Sequence, residues 1–147
     1  MSRSTQVIAE DFNALTVADF DYTNPNARGL ERLNVLCDEI SAINDVSASV
    51  PLLLSTIERL EYADLGTPGA LVHTLEQWPG FYENALAESL NRKPTPLTVW
   101  MVNRILNVEP PDKEMWLSLL QALVNNPATS EEARIATEFF LKHQSGD

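Results

Sequence analysis

Two histidines, one cysteine and many carboxylates are the side chains of this 147-residue sequence that could carry out chemistry. His73-Thr74-Leu75-Glu76 has the start of a zinc-binding helix, in which a second imidazole one turn later shares the ligating face. Gln77 stands at that place, and His143 lies far along the chain. His73 therefore reads as a packed helix residue that shares a hydrogen bond. Cys37 is the only cysteine, so no intramolecular disulfide can form. It follows Leu33 on an apparent helix face and reads as a small buried apolar side chain. Asp19, Asp21 and Thr23 alternate as calcium ligands do. However, Asn24 replaces the central glycine and Leu30 the closing bidentate glutamate of such a loop. The five glycines are scattered, no Gly-Lys-Ser/Thr occurs, and neither histidine lies near a Gly-x-Ser-x-Gly turn. The expectation is a protein with no catalytic set, no metal and no cofactor.

Charge points to binding instead. The sequence has 21 acidic and 10 basic residues, a net charge of −11. Residues 1–64 hold 11 acidic and 4 basic residues, so the excess is steepest there. Nucleic-acid binding draws its affinity from cations that neutralise phosphates, so this balance argues against DNA, RNA and anionic membranes. It suits a basic protein, whose encounter it would speed. It also serves solubility alone.

Two features could meet such a partner. Glu58, Glu61 and Asp64 recur at steps of three, an acidic stripe if one helix carries them, and Glu76 and Glu83 could extend it. The plainer reading is a solvated helix face with Arg59 offsetting the repulsion. Trp78, Phe81 and Tyr82 surround Pro79-Gly80. They form either a packing wedge under a turn or an exposed anchor for a partner.

The elements that must position these residues are all helical by periodicity. Apolar residues at helical spacing predict helices over about 4–15, 27–44 and 50–62, with Ser49 capping the third and Asp19 to Asn26 a loop. Three more follow. Thr67-Pro68 opens the first of these, Trp78-Pro79-Gly80 breaks it, and Lys93-Pro94 ends the second. Thr95-Pro96 opens the next, with Val99, Val102 and Leu106 as its stripe. Asp112 caps a helix with a broad face from Met115 to Val124, and Thr129 or Ser130 caps the last, whose core side is Ala133, Ala136, Phe139 and Phe140. The prediction is an all-α protein of about eight helices in stacked antiparallel hairpins, an irregular HEAT-like bundle. It forms one domain over 1–147: an N-terminal helix and loop to residue 26, a stack over 27–143 and a frayed tail over 144–147. The absence of a long apolar run predicts no membrane span, and the N-terminus lacks the apolar core of a secretory signal, so the expected location is the cytoplasm.

Thr67-Pro68-Gly69-x-Leu71-Val72-His73, Lys93-Pro94-Thr95-Pro96 and Val99-Trp100-Met101-x-Asn103-Arg104-Ile105 resemble segments of small all-helical bacterial immunity proteins. Those proteins neutralise toxin domains of contact-dependent inhibition and related polymorphic toxin systems. The resemblance implies a fold of packed helical hairpins and a toxin domain as partner. A nuclease toxin must hold a polyanion, so its active site is basic and an acidic protein can cover it. An RNA-cleaving domain is the expected target, with Glu58, Glu61, Asp64, Glu76, Trp78, Tyr82 and Glu83 as the contact residues. The competing reading is a helical-repeat scaffold or adaptor that holds an intracellular protein or peptide.

Overall fold

Most helix starts fall close to where the sequence places them, several on a side-chain cap; Asp112 precedes its helix as expected but makes no side-chain cap bond. The computed structural model describes residues 3–66 and 69–146. Among these residues there are eight α-helices, one 3-10 turn and no strand, so the all-α expectation holds. In α1 (Thr5–Ala14) the Ser4 hydroxyl accepts from Val7 N at 3.2 Å. A 3-10 turn follows at Val17–Phe20 and overlaps the start of the loop expected from Asp19 to Asn26; Asp19 Oδ2 accepts from Thr16 N at 2.7 Å. Helix α2 (Gly29–Ile43) ends at Asn44, which takes the left-handed conformation at φ 58°. Asparagine tolerates that region because its short amide can bond locally.

Helix α3 (Val46–Arg59) begins and ends earlier than periodicity suggests. Asp45, not Ser49, is its cap, and Ser49 is buried within the helix. Pro51 sits inside the helix, on the exposed side. Its missing N–H removes the i+4 donor to the carbonyl of Ser47, itself an exposed residue. Helices α4 (Gly69–Glu76) and α5 (Glu83–Arg92) follow. The Thr67-Pro68 opening expected for α4 lies outside the described residues. Helix α6 (Pro96–Asn107) starts on a reciprocal pair: Thr98 N donates to Thr95 Oγ1, and Thr95 N to Thr98 Oγ1, both at 3.1 Å. A hydroxyl here does the work usually given to glutamate in a capping box.

After α7 (Lys113–Val124), the two candidate caps of the last helix divide their roles. Ser130 caps α8 (Glu131–Ser145) by accepting from Ala133 N at 3.1 Å. Thr129 instead donates to Leu123 O at 2.8 Å, closing the end of α7. The tail expected to fray is helical through Ser145. Gln144 Nε2 donates to Asn103 Oδ1 at 2.6 Å and to Asn107 Oδ1 at 2.9 Å, which fastens α8 to α6.

The chain divides into two compact units, one up to Ala85 and one from Leu86 onward. In the first, α1 packs on α2 and α3, and α4 packs on the same two helices. Ile8, Phe12, Leu33, Ile40, Leu53, Ile57, Leu71 and Leu75 are buried in this unit. In the second, α8 lies along both α6 and α7, with Val99, Val102, Leu106, Trp116, Leu120 and Leu123 buried. The inward stripe of α8 is Ala133 and Thr137 rather than the predicted phenylalanines, and Phe139 is exposed. Small side chains let a helix approach its neighbours closely. Thr137 satisfies its own hydroxyl by donating to Ala133 O at 2.7 Å. The broad face of α7 is likewise narrower than predicted, since Met115 is exposed.

Gly29 occupies a position that a larger residue cannot. A Cβ there would lie 2.5 Å from Asp19 O and 2.9 Å from Phe20 Cδ1. The 3-10 turn therefore rests directly on the first turn of α2.

Candidate functional site

The acidic stripe does not exist as a helix face. Helix α3 stops at Arg59, and Leu60 is its C-cap at φ −102°, ψ 30°, so Glu61 and Asp64 lie in the turns beyond it. The helical spacing that would align them with Glu58 is lost at that point. Glu58 itself is buried, with only 9% of its surface exposed. Glu61 is half-buried; Asp64 is exposed and accepts from Gly66 N at 3.1 Å. Arg59 has a role not evident in the sequence. Its guanidinium donates to Phe12 O at 2.7 Å and to Leu15 O, two carbonyls at the end of α1, of which Phe12 O also accepts from Leu15 N at 3.2 Å.

The aromatic turn is a packing wedge. Trp78 and Tyr82 are each only 7% exposed, so neither is the outward anchor that was considered. Trp78 Nε1 donates to Asn44 Oδ1 at 3.1 Å, and Gln77 Nε2 donates to Ser41 Oγ at 2.8 Å, so two bonds hold the end of α4 against the end of α2. Glu83 turns back on its own loop. Its carboxylate accepts from Gly80 N at 2.9 and 3.0 Å and from Tyr82 N at 3.2 Å, which satisfies N–H groups ahead of α5. Phe81 is the outward member of this turn, 70% exposed. Glu76 is half-buried at the last position of α4, and His73 is exposed rather than packed.

Asp64 belongs with a different part of the chain. It lines a groove of about 240 Å³ together with Asp19, Asp21 and Glu31, and with the apolar Phe20, Tyr22, Ala27 and Leu30. Tyr22 is 88% exposed and Leu30 is 48% exposed. The carboxylates are oriented by their neighbours. Asp19 accepts from Thr16, and Asp21 from Thr23 N at 3.0 Å and Thr23 Oγ1 at 2.6 Å. The Thr23 hydroxyl and backbone N–H hold the Asp21 carboxyl below its ordinary value of 3.8. Arg28 is the groove's cation and lies 3.6 Å from Glu31 in an exposed ion pair, an arrangement that contributes little. Sequence reasoning considered Asp19 and Asp21 only for calcium. The described residues contain no group of three or more His, Cys, Asp and Glu arranged to hold a metal.

A second cavity, about 340 Å³, is lined by Arg3, Asp11, Arg32, Val35 and Glu39 among others. Arg3 bonds both Asp11 and Glu39, the latter at 2.7 and 2.8 Å, and holds the Glu39 carboxyl below its ordinary value. Cys37 is buried as expected, and burial pushes its thiol up to about 11. No described helix is long and apolar enough to cross a membrane. Comparison with protein-family models, curated proteins and solved structures returned no match.

Proposed function

We propose that this protein is a cytoplasmic immunity protein that binds one bacterial toxin domain, an RNA-cleaving nuclease, and covers its basic active site. The observation that carries the reading is the acid excess of the first 64 residues, 11 acidic to 4 basic, on an all-helical scaffold. Part of that excess borders an exposed groove with exposed Tyr22 beside it. Aromatic side chains at the centre of an interface and complementary charge around it are the usual sources of affinity and of fast encounter. The Thr-Pro-Gly and Lys-Pro-Thr-Pro segments add the family resemblance.

The reading also accounts for where the carboxylates are spent. Glu83 holds the turn ahead of α5, so it is assigned to folding rather than to the partner. Of the expected contact residues, Asp64, Glu61 and Glu76 remain at the surface or near it, and exposed Phe81 takes the place of Trp78 and Tyr82. The test is coexpression. Cells producing the toxin domain encoded directly upstream of this gene should survive when the protein is present and die when it is absent. Killing that is unchanged by the protein, with both chains expressed and folded, would sink the proposal.

A further inference from the structure

We propose that the groove formed by the 3-10 turn, the segment 21–28 and the start of α2 is the docking surface for a basic protein partner, and that it receives one arginine or lysine side chain. The toxin-binding reading supplies only the partner's biological identity; the chemistry of the groove stands apart from it.

Size narrows the occupant first. Small-molecule sites run from about 300 Å³ upward, and this groove is about 240 Å³ and open to the surface. It suits one inserted side chain. Tyr22 and Leu30 are exposed on its wall, and Phe20 is buried at its base. An arginine or lysine has an apolar stem that can lie along such a wall while its charged head stays at the rim. An exposed tyrosine ring such as that of Tyr22 can take a cation on its face.

Charge makes the choice. Asp19, Asp21, Glu31 and Asp64 stand against Arg28 alone. Their neighbours there are mostly neutral donors: backbone N–H groups and hydroxyls hold Asp19, Asp21 and Asp64 in place without cancelling their charge. An anionic partner would be repelled, and a purely apolar one would bury carboxylates without cations, which is strongly unfavourable. A guanidinium answers both demands, and its five N–H groups can donate to two carboxylates at once. The larger cavity near Arg3 lacks this selectivity, because Arg3 already pairs with Asp11 and Glu39 there.

The experiment maps amide chemical shifts of the full chain during titration with acetyl-Gly-Arg-Gly-amide, beside the neutral isostere acetyl-Gly-citrulline-Gly-amide. The arginine peptide should move the Tyr22, Leu30, Glu31 and Asp64 signals together along one saturating curve, and citrulline should bind at least about threefold more weakly. Shifts of equal size for both peptides, or shifts spread over the acidic surface, would overturn the assignment. Tyr22→Ala and Asp64→Asn change exposed side chains and should keep the helical spectrum while weakening the arginine peptide at least about threefold each. Folded variants with unchanged affinity would also overturn it. The coexpression test separates this inference from the functional reading. Protection that survives Tyr22→Ala combined with Asp64→Lys removes the groove and leaves toxin binding. Saturable peptide binding in the groove, with no protection by the parent, supports the groove and removes the toxin.

Discussion

The indole N–H of Trp78 donates to the side-chain oxygen of Asn44 at 3.1 Å, across 34 residues of sequence. Asn44 is also the left-handed residue that ends α2, so one residue both stops a helix and receives the turn that follows α4. Replacing Asn44 with glycine keeps the backbone conformation and removes only the bond to Trp78. Replacing it with alanine also strains the backbone, at about 1 kcal/mol or more. Asn44→Ala should therefore melt below Asn44→Gly in paired denaturant titrations. Trp78→Ala should cost about 3–5 kcal/mol, since it empties a buried site. Phe81→Ala, in the same turn but with its ring 70% exposed, should stay within about 0.5 kcal/mol of the parent.

Gly29→Ala should destabilise the protein although it lies in a helix. Alanine normally gains up to about 1 kcal/mol over glycine there. Here its methyl would sit 2.5 Å from a backbone oxygen, which must move. Overpacking of this kind costs about 1–3 kcal/mol, so the clash outweighs the propensity. A thermal melt of the single variant checks the sign.

Arg59 should matter through α1, not through the acidic residues beside it in sequence. Arg59→Ala leaves the Phe12 and Leu15 carbonyls without their guanidinium and should cost about 1–2 kcal/mol, less than a fully buried charged bond because the side chain is partly solvated. Arg59→Lys should recover less than half, since one ammonium does not span both oxygens as the guanidinium fork does. Amide hydrogen exchange should rise first in the last turn of α1.

Cys37 should resist alkylation. Its thiol is buried and pushed up to about 11, so little thiolate exists at pH 8. Iodoacetamide should leave the native chain unmodified over hours and label it fully in strong denaturant. Rapid labelling of the native chain would contradict the packing of α2 on α4.

Acid should act through Asp21 and Glu39. Both carboxyls are held below their ordinary values of 3.8 and 4.5, Asp21 by Thr23 and Glu39 by Arg3. A depressed carboxylate contributes stability that is complete above its unfolded value and is lost as pH falls through the folded one. Carboxyl carbon titrations should give midpoints below 3.8 and 4.5, and Arg3→Ala should return Glu39 toward 4.5 without moving Asp21.

What the sequence made legible was local. Thr95-Pro96 marks the start of α6 because a cap and its helix lie within one turn of each other. The Val99, Val102 and Leu106 stripe is buried as its spacing predicts. The face of α8 was legible only in part: Ala133 is buried as its place in the pattern predicts, but phenylalanine outranks threonine in any hydrophobic pattern, whereas close packing buries Thr137 and leaves Phe139 exposed. The acidic stripe depended on a helix continuing to Tyr62, and a stop at Arg59 dissolves it. The groove joins Asp64 to residues 19–31, and no periodicity within one element reports a meeting of distant segments. Its only trace in the sequence was the Asp19-Phe20-Asp21-Tyr22 run, where acid and aromatic alternate.

The three indoles give the chain a built-in optical record of its own unfolding. Trp78 belongs to the unit up to Ala85, and Trp100 and Trp116 to the unit from Leu86 onward. Trp116 is sealed from water, whereas Trp100 is half-exposed with the Arg104 guanidinium 4.8 Å from its ring centre. Their emission maxima should differ accordingly, blue for Trp116 and redder for Trp100. A chain in which Trp78 is the sole fluorophore and another in which it is the missing one would watch the two halves separately. Because losing Trp78 itself destabilises the chain, each variant's fluorescence curve is set against its own circular-dichroism curve: coincidence within each variant would mean that both halves melt as one, and a displacement within one variant would mean that each has a melting point of its own.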